Sequence, residues 1–136
     1  MNDRYLFRAK RIDNGEWVEG NIILSKDADE EYKAIIIPSV NSNMFTEDSG
    51  NEDLGFENWY KVDQSTICQC TGMKDKNGKL IWENDIVKYD WGGTRIDFIE
   101  YQPPIFTYSK SMRWNLQQDE VIGNIFDNPD LLESEE

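Results

Sequence analysis

Residues 5–24 read YLFRAKRIDNGEWVEGNIIL, and this stretch decides the fold class of the chain. In its first part, the side chains of residues 5, 7 and 9 (Tyr, Phe, Ala) alternate with those of residues 6, 8 and 10 (Leu, Arg, Lys), as in a half-buried β-strand. The pair Asn14-Gly15 follows, and an Asn-Gly pair between alternating segments indicates a hairpin because both turn positions favour a positive φ. Residues 17–24 then supply the return strand, so the stretch predicts a β-hairpin.

The rest of the chain consists of short β-rich segments separated by turns rich in glycine and asparagine, such as Asn77-Gly78. No segment has sustained apolar spacing at three and four residues, so long helices are not expected. Residues 130–132 favour a short helical turn. We therefore predict a mainly β protein, a small antiparallel sheet or barrel architecture with at most short helices. Two lobes are expected, residues 1–64 and residues 65–136.

Residues 39–55 interrupt the β-rich pattern with polar and acidic side chains. They predict a long surface loop or mobile excursion within the first lobe. Binding residues often lie on loops carried by a rigid scaffold. The candidate partner-binding residues are therefore the acidic side chains of this segment: Glu47, Asp48, Glu52 and Asp53. The alternative, a loop that is only solvated, stays open.

The charge balance is strongly acidic, with 14 lysines and arginines against 27 aspartates and glutamates and a formal net charge of −13. Such a balance opposes direct binding to nucleic acid or to anionic membranes, whose phosphates attract basic side chains. One interpretation is an acidic surface that keeps the protein soluble. The other is a surface that competes with nucleic acid for a basic protein.

The sequence predicts a cytoplasmic protein. Its N-terminus runs into a strand-like stretch with no apolar segment of the kind that a secretory signal contains. The longest apolar run, residues 34–37, is far below the roughly 18 residues that a membrane span needs. Cys68 and Cys70 alone provide no disulfide framework, which is typical of a reducing compartment.

Catalysis has few candidate residues. The chain contains no histidine, so a Ser-His-Asp or Cys-His arrangement is excluded. The carboxylates of Asp75, Glu83 and Asp85 flank one predicted hairpin and are candidates for magnesium chemistry, but turn and strand geometry already accounts for them. Cys68 and Cys70 lack the spacing of a zinc or redox pair and are expected to be small apolar fillers. We therefore expect no catalytic residues, no bound metal and no cofactor.

Three sequence blocks resemble a known family, the phage and prophage YopX-like proteins. The first runs from residue 8 to residue 20, the second from 70 to 87 and the third from 121 to 132, in the order in which the family has them. Two departures are Cys70, where the family favours Tyr, and Asn84, where it favours Gly. Asn84 in place of glycine should cost little stability, because Asn tolerates a positive φ better than most residues. The resemblance implies a phage-encoded, mainly β accessory protein that self-associates, and it brings no catalytic residues.

The leading functional hypothesis is a non-catalytic accessory protein of the bacterial host cytoplasm that acts by protein–protein binding and self-association. Its expected partners are further copies of itself, as a homo-oligomer, and a host or phage protein, with no direct contact to nucleic acid or membrane. The alternative is an acidic nucleic-acid mimic that inhibits a host DNA-binding protein. A third hypothesis is an enzyme that uses carboxylates and magnesium.

Overall fold

A computed structural model describes residues 5–40, 42–48, 52–90, 92–102, 105–108 and 118–133. The described residues form twelve strands: β1 (Phe7–Lys10), β2 (Trp17–Leu24), β3 (Ala34–Pro38), β4 (Met44–Asp48), β5 (Glu52–Phe56), β6 (Tyr60–Lys61), β7 (Cys68–Lys74), β8 (Leu80–Trp82), β9 (Asp85–Asp90), β10 (Thr94–Gln102), β11 (Ile105–Tyr108) and β12 (Glu120–Asn124).

Helical structure within the described ranges is confined to single turns. Two are 3-10 turns, Glu30–Tyr32 and Gln64–Thr66, and one is the short helix α1, Asp130–Glu133. The sheets are antiparallel, and none of the described strands closes into a barrel. The predicted mainly β, antiparallel architecture with at most short helices is confirmed.

The chain divides into two compact units, of which the first is Tyr5–Ile67 and the second contains the residues from Cys68 onward. In the first unit, strands β6, β3, β2 and β1 lie side by side in that order. The pairing of β1 with β2 confirms the predicted N-terminal hairpin. Strands β2 and β3 pair in the same antiparallel way, so the three successive strands β1, β2 and β3 are neighbours in this sheet.

The turn of the N-terminal hairpin differs from the predicted two-residue form. The Arg11 N–H donates a hydrogen bond to the Glu16 carbonyl at 2.8 Å, and residues 12–15 form the turn between them. Gly15 has a positive φ of 73°, whereas Asn14 does not. The Asn14 side chain instead accepts a hydrogen bond from the Glu16 N–H at 2.9 Å. Asparagine therefore shapes this turn through its amide, and glycine supplies the left-handed conformation.

Alternation along the strands gives the first sheet one face that packs into a core. Four buried side chains form this core, Ala9, Ala34, Ile36 and Val62, and three half-buried ones pack against them, Val18, Ile22 and Ile67. Because successive side chains point to opposite faces, Ile23, Ile35 and Ile37 lie on the other face of β2 and β3. This second apolar face is the foundation of the candidate site described below.

The acidic segment is a hairpin rather than the long loop predicted for residues 39–55. Strand β4 pairs with β5 from Met44 opposite Phe56 to Asp48 opposite Glu52, and together they form a two-stranded sheet. The loop prediction is wrong because backbone pairing satisfies N–H and C=O groups whatever the side chains are. Polar residues on both faces leave no alternation by which the sequence could reveal such strands.

In the second unit, β7 pairs with β8, and strands β11, β10, β9 and β12 form a four-stranded sheet in that order. Strand β9 lies between β10 and β12, and its Ile86 and Val87 are fully buried. The core of this unit consists of the buried side chains Ile81, Val87, Tyr89 and Ile99, with Met73, Phe106 and Val121 packed against them.

Candidate binding surface

Asp75 is the most constrained of the carboxylates that the sequence suggested for magnesium. One of its oxygens accepts hydrogen bonds from the N–H groups of Asn77 and Lys79, each at 2.9 Å, and the other accepts from the Val121 N–H at 3.0 Å. Burial alone would raise the pKa of Asp75, but these three donors outweigh it and hold that pKa below its ordinary value. The prediction that Asp75 shapes the Asn77-Gly78 turn is confirmed.

Asp85 and Glu83 also direct their carboxylates at backbone groups. An Asp85 oxygen accepts from the Trp82 N–H at 2.8 Å, and a Glu83 oxygen accepts from the Gln69 N–H at 3.3 Å. Across the residues that the structure describes, no group of three or more Cys, Asp or Glu side chains is arranged to hold a metal ion. The geometry of these carboxylates is that of turn and strand stabilisation.

Cys68 and Cys70 are both fully buried thiols on β7. The Cys68 sulfur accepts from the side-chain amide of Asn84 at 3.6 Å, and the Cys70 sulfur lies 3.5 Å from the Gly72 N–H. Both thiols are buried, in agreement with the expectation that one or both fill space in the interior.

Asn84 occupies a backbone conformation that explains why glycine suits this position. Its φ is 71°, in the left-handed region. Its N–H donates to the Ile99 carbonyl at 2.8 Å, and its own carbonyl accepts from the Ile125 N–H at 3.0 Å. The turn between β8 and β9 is thereby tied both to β10 and to the end of β12.

The third sequence block forms a compact turn after β12. The side-chain oxygen of Asn124 accepts from the N–H groups of Phe126 and Asp127 at 3.0 and 2.9 Å. The Asn128 side chain accepts from the Asn124 N–H at 3.2 Å, and a Cβ at Gly123 would lie 2.5 Å from that Asn128 oxygen. The side chains that characterise the second and third blocks thus build backbone geometry.

An open apolar groove of about 340 Å³ lies on the second face of the first unit's sheet. We call it the aromatic groove; it is lined by Ile23, Ser25, Ala28, Tyr32, Ile35, Ile37, Gly55, Phe56 and Trp59. Three of its large side chains remain well exposed, Ile23 at 42%, Tyr32 at 42% and Trp59 at 45%. Contiguous exposed apolar surface of this kind marks interaction sites more often than scattered single residues do.

The floor and walls of the aromatic groove come from β2, β3 and β5, from the 3-10 turn Glu30–Tyr32 and from the residue before β6. Its floor comes from alternate residues of β2 and β3, which pair in register with Ile23 opposite Ile35. Tyr32 ends a 3-10 turn, and Trp59 directly precedes β6. The rings of Tyr32 and Trp59 stand 6.5 Å apart at an angle of 44°. Aromatic side chains in such tilted pairs offer both faces and edges to a ligand.

The sequence prediction missed this groove, although one signal pointed to it. Residues 34–37 are apolar at every position rather than at alternate ones. A strand with one solvated face should alternate, so a continuous apolar run indicates that both faces are meant to be covered. Ala34 and Ile36 face the core, and Ile35 and Ile37 face the groove.

Two lysines near the aromatic groove, Lys61 and Lys33, already have acidic partners. Lys61 Nζ lies 3.2 Å from a Glu31 carboxylate oxygen and 5.1 Å from the centre of the Tyr32 ring. The hydrogen bond that Lys61 donates to Glu31 raises the pKa of Lys61 above its ordinary value. Lys33 Nζ similarly lies 3.2 Å from a Glu30 oxygen. These lysines therefore do not give the groove a positive rim.

A second, wider cleft of about 990 Å³ in the first unit is polar, and its lining includes Arg11, Glu31, Asp63 and Ser65. Arg11 donates two hydrogen bonds to Asp13, at 2.9 and 2.6 Å, and its guanidinium lies 4.1 Å from the centre of the Tyr60 ring. The Asp63 carboxylate accepts from the N–H and hydroxyl of Ser65 at 3.0 and 2.8 Å. The binding capacity of these groups is largely used within the unit itself.

The four candidate partner-binding residues lie on the paired strands β4 and β5, where the structure describes their backbone. Glu47 stands opposite Asp53, and Asp48 stands opposite Glu52. Their part in binding stays a prediction. Among the helices that the structure describes, none has the length and apolar character to cross a membrane.

A family model described as YopX protein matches residues 6–133. The chain belongs to the YopX protein family. The resemblance seen in the three sequence blocks is therefore confirmed. Among solved structures, the chain is similar to one titled "Crystal structure of protein EF1440 from Enterococcus faecalis". The two are 27% identical with a TM-score of 0.62, over 93% of this chain and 96% of that one. No curated protein matches the chain.

Proposed function

We propose that this member of the YopX family is a non-catalytic, phage-encoded accessory protein that acts in the bacterial host cytoplasm by protein–protein binding and self-association. The observation that carries the proposal is the aromatic groove, with Tyr32 and Trp59 each more than two-fifths exposed. Tyrosine and tryptophan are over-represented among the residues that dominate binding energy at protein interfaces. A preformed groove with exposed aromatic walls suits an apolar anchor from a partner.

The state of the carboxylates supports binding over catalysis. A general acid or base works best with a pKa near the operating pH. Asp75 has its pKa moved the other way, below its ordinary value, and keeps its charge as a hydrogen-bond acceptor. Asp85 and Glu83 are likewise engaged with backbone N–H groups. These residues stabilise turns, which is a sufficient reason for their presence.

The β4–β5 hairpin supports self-association. A hairpin of two strands is marginally stable alone, and unpaired strand edges are templates for pairing with another chain. Met44 is 63% exposed and Phe45 41% exposed on this hairpin. We propose that two copies associate through this hairpin, whose Gly55 and Phe56 also line one wall of the aromatic groove.

Quantitative affinity purification from bacterial cells tests the role of the groove. The Trp59→Ser variant should lose partners that the unaltered chain retains. A matched control is Tyr101→Ser, because Tyr101 in the second unit is exposed to a similar extent, 46% against 45%. Equal recovery of every co-purified protein by all three chains would contradict a binding role for the groove.

The alternative function, an acidic mimic of nucleic acid, is favoured by one observation. The four acidic residues lie on paired strands rather than on a loop, and a mimic of nucleic acid needs its carboxylates on an ordered backbone, spaced like the phosphates. The test is competition with duplex DNA for host DNA-binding proteins at physiological salt. We expect only weak, salt-sensitive competition. Stoichiometric displacement of DNA that is lost on deleting residues 39–55 would establish the alternative.

A further inference from the structure

We infer that the aromatic groove accepts a basic, apolar segment of a partner protein, an extended stretch in which lysines or arginines accompany leucine-like or aromatic side chains. This inference rests on the proposed function and adds the chemistry of the partner. Its basis is the combination of an apolar floor with an acidic rim.

The rim of the groove lies in the most acidic part of the first unit. From Asp27 to Asp63 the chain carries ten acidic residues and two lysines. One wall belongs to residues 25–32, where four exposed acidic residues, Asp27, Asp29, Glu30 and Glu31, outnumber one exposed lysine, Lys26. The other wall ends at Phe56, next to the exposed Glu57. An incoming positive charge would therefore meet carboxylates on both sides.

The two lysines of this stretch do not offset the acidic rim. Each is already within ion-pair distance of one glutamate, Lys33 of Glu30 and Lys61 of Glu31. After these two ion pairs, the other acidic residues from Asp27 to Asp63 have no lysine of this stretch to balance them, so the stretch keeps an excess of negative charge. Complementary potentials of this kind steer partners and fix which partner is accepted.

Charge also decides between the classes of occupant. A second copy of the chain seated in the groove would bring an identical acidic rim against this one. Like charges brought together at an interface cost several kcal/mol. Nucleic acid and anionic lipid carry the same sign. A basic protein segment alone combines the positive charge that the rim attracts with the apolar side chains that the floor requires.

The groove already contains an example of the contact that a basic side chain would make. Lys61 Nζ lies 5.1 Å from the centre of the Tyr32 ring while its charge is paired with Glu31. Trp59 stands beside Tyr32 with its ring partly exposed. Tryptophan is the aromatic side chain that holds a cation best. A partner lysine or arginine would stack on Trp59, and its apolar neighbours would cover Ile23 and Ile35.

Three short fluorescein-labelled peptides test this inference against the full-length protein by fluorescence anisotropy. One alternates lysine with leucine, one alternates lysine with serine, and one alternates glutamate with leucine. We expect the lysine–leucine peptide to bind at a single site. Trp59→Ala should weaken that binding by about tenfold or more, as for a dominant interface anchor. The other two peptides should bind at least about tenfold more weakly.

Charge reversal in the rim provides the second arm of the test. Exchanging Asp27 and Asp29 for lysine should weaken the binding of the lysine–leucine peptide and strengthen the binding of the glutamate–leucine peptide. The matched controls in the second unit are Glu100→Lys for charge and Tyr101→Ala for the aromatic ring, both of which should leave binding unchanged. Melting curves of every variant identify any that fail to fold.

Distinct outcomes separate the inference from the function on which it rests. Equal binding of the lysine–leucine and glutamate–leucine peptides, or binding that ignores Trp59→Ala, would overturn the basic-partner inference. If the Trp59→Ser variant recovers the same partners as the unaltered chain in the affinity purification, that result would instead contradict the groove as a binding surface. A dimer that dissociates on Trp59→Ala would show that a second copy occupies the groove and would also overturn the inference.

Discussion

Asp75 joins a tight turn to a strand far along the chain through three backbone hydrogen bonds. Asp75→Asn removes the charge and places an amide donor among N–H groups. We expect the free energy of unfolding at neutral pH to fall by about 2 kcal/mol, in the range for hydrogen bonds to charged groups. Urea denaturation of the two proteins measures the difference.

The pH dependence of that difference checks its origin. The pKa of Asp75 is lower in the folded protein than its ordinary value, so its stabilisation is complete above that ordinary value, about 4. This stabilisation is lost as the pH falls through the lower pKa that Asp75 has in the folded protein. The stability gap between the unaltered protein and Asp75→Asn should therefore close below about pH 4. A gap that stays constant down to acid unfolding would contradict the charge-assisted interpretation.

Asn84 tests whether the departure from the family's glycine matters. Its φ of 71° strains any residue with a Cβ, although asparagine tolerates it better than most. Asn84→Gly should change the melting temperature little, because relief of strain offsets the lost amide contact to Cys68. Asn84→Ala keeps the strain and loses the amide, and should cost about 1–2 kcal/mol. Equal stability of both variants would show that the backbone conformation is unimportant.

At the scale of the strand, Gly20 allows β2 and β3 to approach each other closely, because it has no Cβ. It is buried and lies opposite Phe7 on one side and Pro38 on the other. A Cβ at this position would clash with the backbone carbonyl of Ile37. Gly20→Ala should cost about 1–3 kcal/mol, as overpacking does, whereas alanine at the exposed neighbour Asn21 should be nearly neutral. Thermal unfolding of both variants distinguishes the two.

The β4–β5 hairpin places residues of like charge directly opposite each other, Glu47 with Asp53 and Asp48 with Glu52. Such pairs destabilise antiparallel strands by about 0.2–1 kcal/mol each. Glu47→Gln combined with Asp53→Asn should therefore slow amide hydrogen exchange across both strands by a few-fold. Faster exchange in the variant would mean that the charges stabilise the hairpin, contrary to this reasoning.

Elements with strong local signals could be predicted from the sequence, and those without could not. The N-terminal hairpin carries both alternation and a glycine turn, and it forms where expected. Strands β4 and β5 have Gly50 between them in the sequence but lack alternation, and their pairing depends on backbone groups that look alike in every sequence. The groove depends on Trp59 and Tyr32, which come together only after β3 and β6 pair. The sequence spacing of these two residues gives no sign that their rings lie side by side.

At the scale of the whole molecule, a net charge of −13 opposes association between copies. Salt screens that repulsion, since the Debye length falls from about 10 Å at 0.1 M to about 3 Å at 1 M. Self-association should therefore strengthen as salt rises, and Phe45→Lys should abolish it. Binding of the lysine–leucine peptide should weaken over the same series. Sedimentation that finds a monomer at micromolar concentration at every salt would contradict the proposed self-association.

The bond between Asp75 and the Val121 N–H joins positions 46 residues apart. In the first unit, by contrast, β1, β2 and β3 pair with their sequence neighbours. During synthesis, which proceeds at about 5–20 residues per second, the first unit's strands leave the ribosome before Val121 is made. The second unit must wait for β12. We therefore expect the aromatic groove to form while the nascent chain is still tethered to the ribosome, so that the proposed partner protein binds before translation ends.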